Sequence, residues 1–463
     1  MLNELLGKCN DLLYSYVLIF LLVGAGVWFT IRTGCVQLRR LGDVMRILKE
    51  KNGAEDGKKP VSSFQALMIS TASRVGTGNI AGIAAAIATG GPGAVFWMWL
   101  MAVIGGASAF VESTLAQIYK VRDGDSFRGG PAYYISRALG KRWLGCVFSV
   151  LLIICFAYGF NSLQTYNIAT ALSHYIPNYA GSRWPMVIGL VVAALTAAVI
   201  FGGVHRIGFI TSVIVPIMAG GYILIGLIMI VTHLSAVPGV LREIFAQAFD
   251  FAAIRGGFAG SVVMIGVKKG LFSNEAGMGS APNAAATAAV SHPAKQGLIQ
   301  VLSVFLDTLV ICSTTAMILM VSGVPASKDI TYVQQAVSST FGEAGIAFVT
   351  VAIFFFAYSS LIGNYYYTES NLLFIQNDKR LLNLFRCTCL VAIFLGAQSG
   401  FDTVWNLADI TMGLMAIVNI LCLFALNGVA MRTLADYDRQ RKAGKNPVFH
   451  AKDIGLHNTD CWQ

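Results

Sequence analysis

The stretch RVGTGNIAG, Arg74–Gly82, interrupts a hydrophobic run that extends over Phe64–Thr89 and is long enough to cross a bilayer. It places an arginine, a threonine, an asparagine and several glycines where apolar residues would continue the helix. A backbone N–H or C=O group without a partner is costly in lipid, so such a break persists only where it is buried in protein or lines a cavity. The interruption therefore predicts a buried functional segment within a membrane-spanning helix.

The composition places the rest of the chain in the membrane as well. Of the 463 residues, 56% are hydrophobic and 12% are charged, and the mean hydropathy is +0.66. A soluble domain has about 25% charged residues. We therefore predict an all-α polytopic membrane protein with eleven transmembrane helices. The runs of spanning length are Leu13–Ile31, Phe64–Thr89, Ala94–Ile118, Leu144–Leu172, Pro185–Phe201, Gly208–Val231, Gly257–Val290, Leu298–Val321, Ile346–Thr368, Leu381–Gly396 and Thr403–Leu426.

The lysines and arginines are divided unequally between the two sides of these helices. One side, which includes the C-terminal tail, holds 25 of them, whereas the other side holds 5. The positive-inside rule places the C-terminus in the cytoplasm and the N-terminus outside, which predicts a multi-pass protein of the plasma (inner) membrane. The same loops explain the net charge of +10 because they meet anionic headgroups. Membrane lipids are therefore expected as partners, and nucleic acid is not.

Cysteine and histidine patterns give no sign of a metal or catalytic centre. The nine cysteines lack the C-x-x-C spacing of zinc sites, and the six histidines form no H-x-x-x-H pair. An enzyme needs a convergent nucleophile, base or set of metal ligands, and the sequence contains no such constellation. We therefore expect no catalytic residues and no enzymatic activity.

A second interruption, GVKKGLFSNEAGMGSAP at Gly266–Pro282, matches the first. Both segments place a basic residue five positions before an asparagine that is followed by x-Ala-Gly, so Arg74 and Asn79 correspond to Lys269 and Asn274. The offset is 195 residues, or five predicted spans, and an odd number of spans makes the two segments run in opposite directions. Paired interruptions of this kind are the sequence sign of an inverted repeat with a binding site near the bilayer midplane.

The ends of broken helices explain why such a site binds charged groups. Carbonyls that end the first half suit a cation, whereas N–H groups that begin the second half suit an anion. An amino acid zwitterion and a sodium ion together offer both charges. Small residues also occur in membrane helices for close packing alone, but two paired polar interruptions favour a site. In the second interruption, Ser273 and Asn274 are typical caps for a restarting half-helix, with Glu275 in its first turn.

The sequences SRVGTGNIAGIAAAIATGGPGAVFWMW and GLFSNEAGMGSAPNAAATA resemble the signature pair of the alanine/glycine:cation symporter family, which are sodium-coupled amino acid carriers. The likeness extends from about Leu13 to Asn427. It implies a leucine-transporter-type fold, with one extra N-terminal helix and two inverted repeats of five helices, acting as a monomer. The expected organisation is an extra helix at 1–32, a cytoplasmic loop at 33–63, repeats at 64–256 and 257–428, and a cytoplasmic tail at 429–463, charged and frayed beyond Leu434.

The resemblance also implies the residues of the substrate site. In the two interruptions these are Gly76, Thr77, Gly78, Asn79, Gly270, Phe272, Ser273 and Asn274. The backbone of 76–78 and the Asn79 side chain would hold the carboxylate of a small neutral amino acid. Carbonyls near 270–273 would face its ammonium group, and Phe272 would close over its side chain.

A polar stripe in the fourth predicted span adds to this site. Asn161, Gln164 and Asn167 recur at three-residue intervals, which places them on nearly one face of an otherwise apolar helix. Such a stripe can simply bond a neighbouring helix, at about 0.6 kcal/mol per contact. The family likeness assigns Gln164 and Asn167 to the substrate.

For the coupling ion, Na⁺, the resemblance implies the carbonyls of Ala72 and Val75 and the hydroxyls of Ser359 and Ser360. Adjacent serines in a membrane helix also bond back to carbonyls of the preceding turn, and alone this alternative would be favoured. The resemblance places Ser359 and Ser360 beside the broken helix, and this position favours the sodium site over the alternative of bonding to backbone carbonyls. Proton coupling is the nearest alternative and would use the carboxylate of Asp307. An ion channel is a further alternative, but channels usually repeat filter loops in an oligomer.

One departure from the family pattern bears on the substrate. Many members carry a Gly-Trp-Ser-Tyr-Tyr-Gly-Glu run in the eighth core helix, whereas this chain reads GNYYYTE at Gly363–Glu369. Replacing the indole with the carboxamide of Asn364 should leave a larger and more polar pocket, because buried amides seek partners. Glutamine is therefore expected as a substrate at least as readily as alanine or glycine.

Ionisable residues flank both interruptions. The basic ones are Arg74, Lys268 and Lys269. The carboxylates of Glu275, Glu112 and Asp307 are candidate partners, and the sequence does not assign the pairs. Because a positive charge beside a cation site is unfavourable, Arg74 is expected to point away toward one of these carboxylates.

Overall fold

Helices form nearly all of the structure that the computed structural model describes, which comprises residues 2–50, 61–124, 126–249 and 261–462. The chain begins with two helices joined by a π-helical turn, Tyr14–Leu18, and two short helices follow. These helices are α1 (Leu2–Leu13), α2 (Ile19–Arg32), α3 (Val36–Arg39) and α4 (Leu41–Lys49). Part of the predicted cytoplasmic loop at 33–63, residues 51–60, lies outside the described residues.

The first interrupted helix opens the next group of elements. Ser62 caps its start, because the Ser62 hydroxyl oxygen accepts the Gln65 amide at 3.1 Å. The elements are α5 (Ser63–Arg74), a 3₁₀ turn (Thr77–Asn79), α6 (Ala81–Gly90), α7 (Gly93–Ile118), β1 (Val121–Asp123), β2 (Ser126–Arg128), α8 (Pro131–Ala138), α9 (Arg142–Ile153), a π turn (Ile154–Phe160), α10 (Asn161–Leu172), 3₁₀ turns (Ser173–Tyr175 and Tyr179–Gly181), α11 (Trp184–Ile200), α12 (Gly203–Thr232) and α13 (Val237–Ala248). The two strands pair antiparallel.

The second interrupted helix begins in the same way as the first. The Ser261 hydroxyl oxygen accepts the Met264 amide at 3.3 Å, so a serine caps both. The elements are α14 (Val262–Asn274), α15 (Pro282–Ala285), α16 (Pro293–Phe305), a π turn (Leu306–Cys312), α17 (Ser313–Val321), α18 (Ile330–Phe341), α19 (Glu343–Ile375), α20 (Lys379–Gly396), α21 (Phe401–Lys442) and a 3₁₀ turn (Ala451–Ile454).

Each predicted hydrophobic run overlaps helical structure, although residues 257–260 of the seventh run lie outside the described part. Within the described residues, seven helical segments are long and apolar enough to span a membrane without interruption. They are Leu6–Arg32, Gly93–Ile118, Arg142–Tyr175, Arg206–Thr232, Pro293–Val321, Glu343–Ile375 and Phe401–Lys442. The other four runs match the interrupted pairs α5–α6 and α14–α15 and the helices α11 and α20. The protein is therefore a multi-pass membrane protein.

Helix α7 is the central support of the two interrupted helices. It packs against α2, α14 and α16, and it also contacts α6 and α15. The approach to α14 is close, because a Cβ on Gly266 would lie 2.6 Å from the carbonyl oxygen of Ala94. Only glycine fits this position, so the sequence of α14 fixes how near the second interruption lies to α7.

The C-terminal tail differs from the prediction. Helix α21 continues to Lys442, and the following residues fold back onto the membrane domain. Phe449 and Trp462 are only 3% and 8% exposed. The expectation of a frayed tail beyond Leu434 is therefore wrong. Charge alone suggested solvation, whereas two aromatic side chains supply the apolar area that docks the segment.

Candidate functional site

The first interruption releases two carbonyls at the end of α5. In an unbroken helix the amides of Gly76 and Thr77 would bond the carbonyls of Ala72 and Ser73. Here the Gly76 amide donates to the Asn79 side-chain oxygen at 3.1 Å, and the Thr77 amide donates to Gln164 Oε1 at 3.0 Å. The carbonyl oxygens of Ala72 and Ser73 are therefore open to other ligands.

Ser360 on α19 lies beside these released carbonyls. Its hydroxyl lies 2.9 Å from the carbonyl oxygen of Ala72, 3.2 Å from that of Ser73 and 3.1 Å from that of Phe356. The neighbouring Ser359 hydroxyl contacts the Phe356 carbonyl at 2.9 Å and the sulfur of Met218 at 3.7 Å. The structure thus brings Ser360 to the first break, while Ser359 faces α12.

The second interruption begins later than predicted. Helix α14 continues through Ser273 and Asn274, and Glu275 then adopts a left-handed backbone with φ +52°. Ser273 and Asn274 therefore end the first half-helix and do not cap the second, which starts at Pro282. The sequence pattern was misleading because the asparagine serves the turn itself, where its side-chain oxygen accepts the Ala276 amide at 3.0 Å.

Glu112 on α7 holds the unwound segment that follows. Its two carboxylate oxygens accept the amides of Gly277 at 3.2 Å and Gly279 at 3.1 Å, and Asn419 donates to it at 2.9 Å. Gly277 and Gly279 have φ values of +80° and +89°, which favour glycine. A buried carboxylate on a neighbouring helix therefore replaces the missing intrahelical acceptors.

This arrangement frees the carbonyls of Phe272 and Ser273. The Ala276 and Gly277 amides, which would bond them in a continuous helix, donate instead to Asn274 and Glu112. Gly270 lies inside α14, one turn before the break. The prediction of open carbonyls near 270–273 therefore applies to the C-terminal part of that range, and Gly270 itself supplies close packing against α7, where a Cβ would lie 3.1 Å from Met101.

Phe272 connects the two interruptions. Its ring covers Gly78 so closely that a Cβ on Gly78 would collide with it. The ring also packs against Phe160 and Trp405, with centroid distances of 4.8 Å and 5.1 Å. The Gly78 amide has no hydrogen-bond partner within the described ranges. Phe272 thus lies directly over a free N–H group of the first break.

Asn79 joins both interruptions to the π turn Leu306–Cys312, which follows α16. Its amide nitrogen donates to Asp307 Oδ1 at 2.6 Å and lies 3.3 Å from the hydroxyl of Ser273. The Ser273 hydroxyl donates to the other oxygen of Asp307. All three residues are at most 1% exposed. The Asn79 side chain is therefore bound on both ends by the protein, and its role in the site is to fix the two breaks together.

The polar stripe of α10 reaches the same place. Gln164 accepts the Thr77 amide, and the Asn167 amide nitrogen donates to the Thr77 hydroxyl at 2.9 Å. Asn161, one turn earlier, accepts a hydrogen bond from Asn364 at 3.0 Å. The structure thus brings Gln164 and Asn167 to the first interruption as expected, and it adds Asn161.

Asn364 lies on α19 one turn beyond Ser360. Its side-chain oxygen accepts the Ser73 hydroxyl at 2.7 Å, and Ser73 is 3.2 Å from a carboxylate oxygen of Glu275. Asn161, Asn364, Ser73 and Glu275 form one buried polar chain that links α10, α19 and both interruptions. The Nδ2 atom of Asn161 has no partner in the described part of the protein, although the side chain is fully buried.

The candidate carboxylates form no direct ion pair with the basic residues in the described part of the chain, although the charge of Arg74 acts on Glu275, Glu112 and Asp307. Arg74 points toward α16, away from the released carbonyls, but it donates to the side chain of Gln300 at 3.1 Å and forms no ion pair with any described carboxylate. Lys268 pairs with Asp409 on α21 at 2.7 Å, and Lys269 lies 3.9 Å from the same carboxylate. The pairing depends on which face of α21 packs against α14, and the sequence alone does not reveal that face.

Comparison with known proteins identifies the family. A model described as the sodium:alanine symporter family matches residues 1–451 of the chain. The chain belongs to this family. Sodium is the cation that the family description names, and members are secondary transporters, so the protein is a transporter and not an enzyme.

Relatives are similar over the full length of the chain. The amino-acid carrier protein AlsT of Bacillus subtilis (strain 168) is 50% identical over 463 residues, which cover 100% of this chain and 98% of that protein. The probable sodium/glutamine symporter GlnT of the same organism is 47% identical over 465 residues, covering 100% and 96%. The sodium/alanine symporter AgcS of Methanococcus maripaludis is 37% identical over 449 residues, covering 95% and 98%.

A solved structure supports the fold. A mutant of the Eremococcus coleocola manganese transporter superposes with a TM-score of 0.54 at 14% identity, and the alignment covers 84% of this chain and 81% of that chain. At this identity the likeness concerns the fold alone. Together with the two interrupted helices, it confirms the predicted leucine-transporter-type fold, whereas the count of eleven spanning helices stays a prediction.

Several residues of this symporter-family site were absent from the predicted set. They are Ser73, Asn161, Trp405 and Asn419. Asn161 was visible as the first member of the polar stripe, and Ser73 directly precedes the first interruption. Trp405 and Asn419 lie on α21, far from either interruption in sequence, and nothing in the local pattern distinguishes them from packing residues.

Proposed function

We propose that this protein is a sodium-coupled symporter that imports small neutral amino acids across the plasma (inner) membrane by alternating access. The observation that carries the proposal is the meeting of the two broken helices at Phe272 and Gly78. One break contributes released carbonyls at Ala72 and Ser73, and the other at Phe272 and Ser273. Carbonyl ends and free amides in one buried place suit a cation together with a zwitterion.

The sodium site proposed here comprises the carbonyls of Ala72 and Val75 and the hydroxyls of Ser359 and Ser360. Support comes from the Ser360 hydroxyl, which already lies within bonding distance of the Ala72 carbonyl. Sodium is a hard cation that prefers oxygen ligands, and these four groups are all oxygens. Ser359 would join the site by rotating its hydroxyl away from the Phe356 carbonyl.

The substrate carboxylate binds, in this proposal, at the backbone of Gly76–Gly78. The Gly78 amide is free, and the first amides of α6 lack intrahelical partners. The carbonyls at Phe272 and Ser273 receive the ammonium group, and the Phe272 ring covers the side chain. Gln164, Asn167, Asn79 and Asn274 hold the backbone of the two breaks in place.

We assign glutamine as a substrate at least as good as alanine or glycine. The buried chain of Asn161 and Asn364 supplies polar groups beside the site, and the unpartnered Nδ2 atom of Asn161 is a donor suited to a substrate carboxamide. An unsatisfied buried amide costs about 1–3 kcal/mol, which a hydrogen-bonding substrate would recover. The relative GlnT carries a name that agrees with this assignment.

Uptake of labelled alanine, glycine and glutamine into proteoliposomes, with and without an inward Na⁺ gradient, tests the proposal. We expect uptake to require the gradient and glutamine to compete with alanine. Asn364→Trp should reduce glutamine competition and spare alanine, with Asn371→Trp, on the same helix and equally buried, as a test of nonspecific misfolding. The glutamine assignment is overturned if glutamine fails to compete and Asn364→Trp changes nothing.

Proton coupling is the second candidate because of Asp307, whose carboxylate is fully buried between the two interruptions. In that case a pH gradient without Na⁺ would drive uptake, and Asp307→Asn would abolish it. An ion channel would instead carry steady current without added amino acid. Na⁺-dependent uptake with no such current would exclude both alternatives.

A further inference from the structure

The segment after α21 folds back onto the membrane domain. We call residues 446–462 the strap. Its two anchors, Phe449 and Trp462, are buried, and their rings contact each other with a centroid distance of 5.4 Å. The strap therefore has its own small apolar core on the side of the protein where α21 ends.

The first anchor holds the connection between α15 and α16. The Phe449 amide donates to the carbonyl of Ser291 at 2.8 Å, and the Ser291 hydroxyl donates to the carbonyl of Pro447 at 2.8 Å. The Phe449 ring packs against His292, with centroids 5.2 Å apart. The connection that follows the second broken helix is thus paired with the strap through both backbone and side chain.

The second anchor holds the end of α7. The Trp462 indole donates to the carbonyl of Gln117 at 2.7 Å, and its ring lies 4.9 Å from the Nζ atom of Lys120. Asp460 forms an ion pair with Arg137 on α8 at 2.5 Å. The strap therefore spans from α16 across α7 to α8.

Lys120 connects the strap to both broken helices. Its Nζ atom donates to the carbonyl of Ala288 at 2.9 Å. The next amide, of Ala289, donates to the carbonyl of Val61 at 3.1 Å, immediately before α5 begins. Val61 and Ala288 are 3% and 0% exposed. The halves of the two broken helices that face this side, α5 and α15, are therefore closed against each other directly beneath the strap.

We propose that the strap is a latch that keeps this side of the transporter closed and must release before the site between α5 and α15 opens there. The inference rests on the proposed alternating-access symport, since opening of one side is what the latch would oppose. Separating Val61 from Ala288 moves the Ala288 carbonyl, to which Gln117 and Lys120 both donate. Gln117 and Lys120 in turn contact Trp462. The strap and the closure beneath it therefore move as one unit.

Hydrogen–deuterium exchange on the full chain, compared between variants, tests the latch without requiring transport. In Trp462→Ala we expect at least tenfold faster exchange in residues 446–462 and also in 61–66 and 282–292. Lys452→Ala is the matched control, because Lys452 is an exposed strap residue, and its exchange should equal that of the wild type. Faster exchange confined to the strap would overturn the proposal.

A second variant guards against misfolding of Trp462→Ala. Asp460→Ala removes only a half-exposed ion pair and should produce a several-fold change in the same three segments. No change beyond the strap in this variant, with Trp462→Ala unfolded, would also overturn the latch. Uptake assays on the same samples separate the two ideas: a wild type that transports no amino acid, yet shows linked exchange, refutes the symport and retains the linkage of strap and closure.

Discussion

The hydroxyl of Ser360 lies 2.9 Å from the carbonyl oxygen of Ala72, across the interface between α19 and the end of the first half-helix. A serine on α19 thus reaches a carbonyl that the break after α5 has released. The contact gives the proposed cation site two ligands from different helices, so a bound ion would hold α19 and α5 together. Its neighbour Ser359 makes no comparable contact among the described residues.

Ser360→Ala should weaken sodium binding more than Ser359→Ala. We expect the sodium concentration for half-maximal uptake to rise about tenfold, or about 1.4 kcal/mol, for Ser360→Ala and about threefold for Ser359→Ala. Alanine uptake at graded Na⁺ concentrations measures both values. Equal sodium dependence in the wild type and in Ser360→Ala would show that the cation binds elsewhere.

Gly78→Ala should abolish uptake, because the added methyl group collides with the Phe272 ring. The matched control is Gly24→Ala, since a Cβ at that helical position meets nothing within 4 Å and uptake should be unchanged. Combining Gly78→Ala with Phe272→Leu should restore part of the activity. Wild-type uptake by Gly78→Ala alone would contradict the close approach of the two interruptions.

Glu112→Gln should loosen the second interruption. A glutamine offers one oxygen where the carboxylate offers two to the amides of Gly277 and Gly279, so one buried N–H loses its acceptor at a cost of about 1–3 kcal/mol. We expect a lower thermal unfolding temperature and several-fold weaker substrate affinity. The same change at Glu343, whose side chain is 79% exposed, should alter neither quantity. A glutamine at 112 that leaves both unchanged would refute this role.

Docking of the strap should depend on pH through Lys120, which follows the last residue of α7 by two positions. Burial lowers the pKa of Lys120 to about 7, from an ordinary 10.5. Release of Trp462 would re-expose the ammonium group and raise its pKa again. Between pH 7 and pH 10.5, the Lys120 side chain is protonated when the strap is released and neutral when the strap is docked. Docking should therefore strengthen as the pH rises from 7 to 8.5.

The measurement is the exchange protection of residues 446–462 relative to the intrinsic rate at each pH. The surrounding charged groups are Arg122 and the Arg137–Asp460 pair, and burial raises the pKa of the Cys461 thiol above its ordinary 9.0, so that thiol stays neutral in this range. Lys120→Met should remove the trend. Protection that falls between pH 7 and 8.5 would reverse the assigned sign.

The sequence allowed the inverted pair of interruptions to be predicted because each disrupts a long apolar run at a matching position. The α10 stripe was equally visible, since a three-residue spacing of Gln164 and Asn167 places both on one face. The exact end of α14 was not visible, because an asparagine can either cap a helix or close a turn after it. Tertiary contacts determine that Asn274 closes a turn, because Glu112 on α7 accepts the amides of Gly277 and Gly279 in the unwound segment.

Pairings between distant helices could not be predicted at all. Lys268 pairs with Asp409 because of the way that α14 packs against α21. Arg74 bonds to Gln300 because of the way that α5 packs against α16. The docked tail was missed for a similar reason. Its contacts join Trp462 to Gln117, 345 residues earlier in the chain, and local charge gave no indication of them.

Three polar partners of the first broken helix are synthesised more than 200 residues after the residues to which they bond. Ser73 bonds to Glu275 and Asn364, 202 and 291 residues further along, and the Asn79 amide bonds to Asp307, 228 residues further along. When residues 64–90 enter the bilayer, none of these partners has yet been made. The hydrogen bonds of Ser73 and Asn79 therefore form only after the helices that carry Glu275, Asp307 and Asn364 have also inserted, so the two interrupted helices are a single unit of biogenesis.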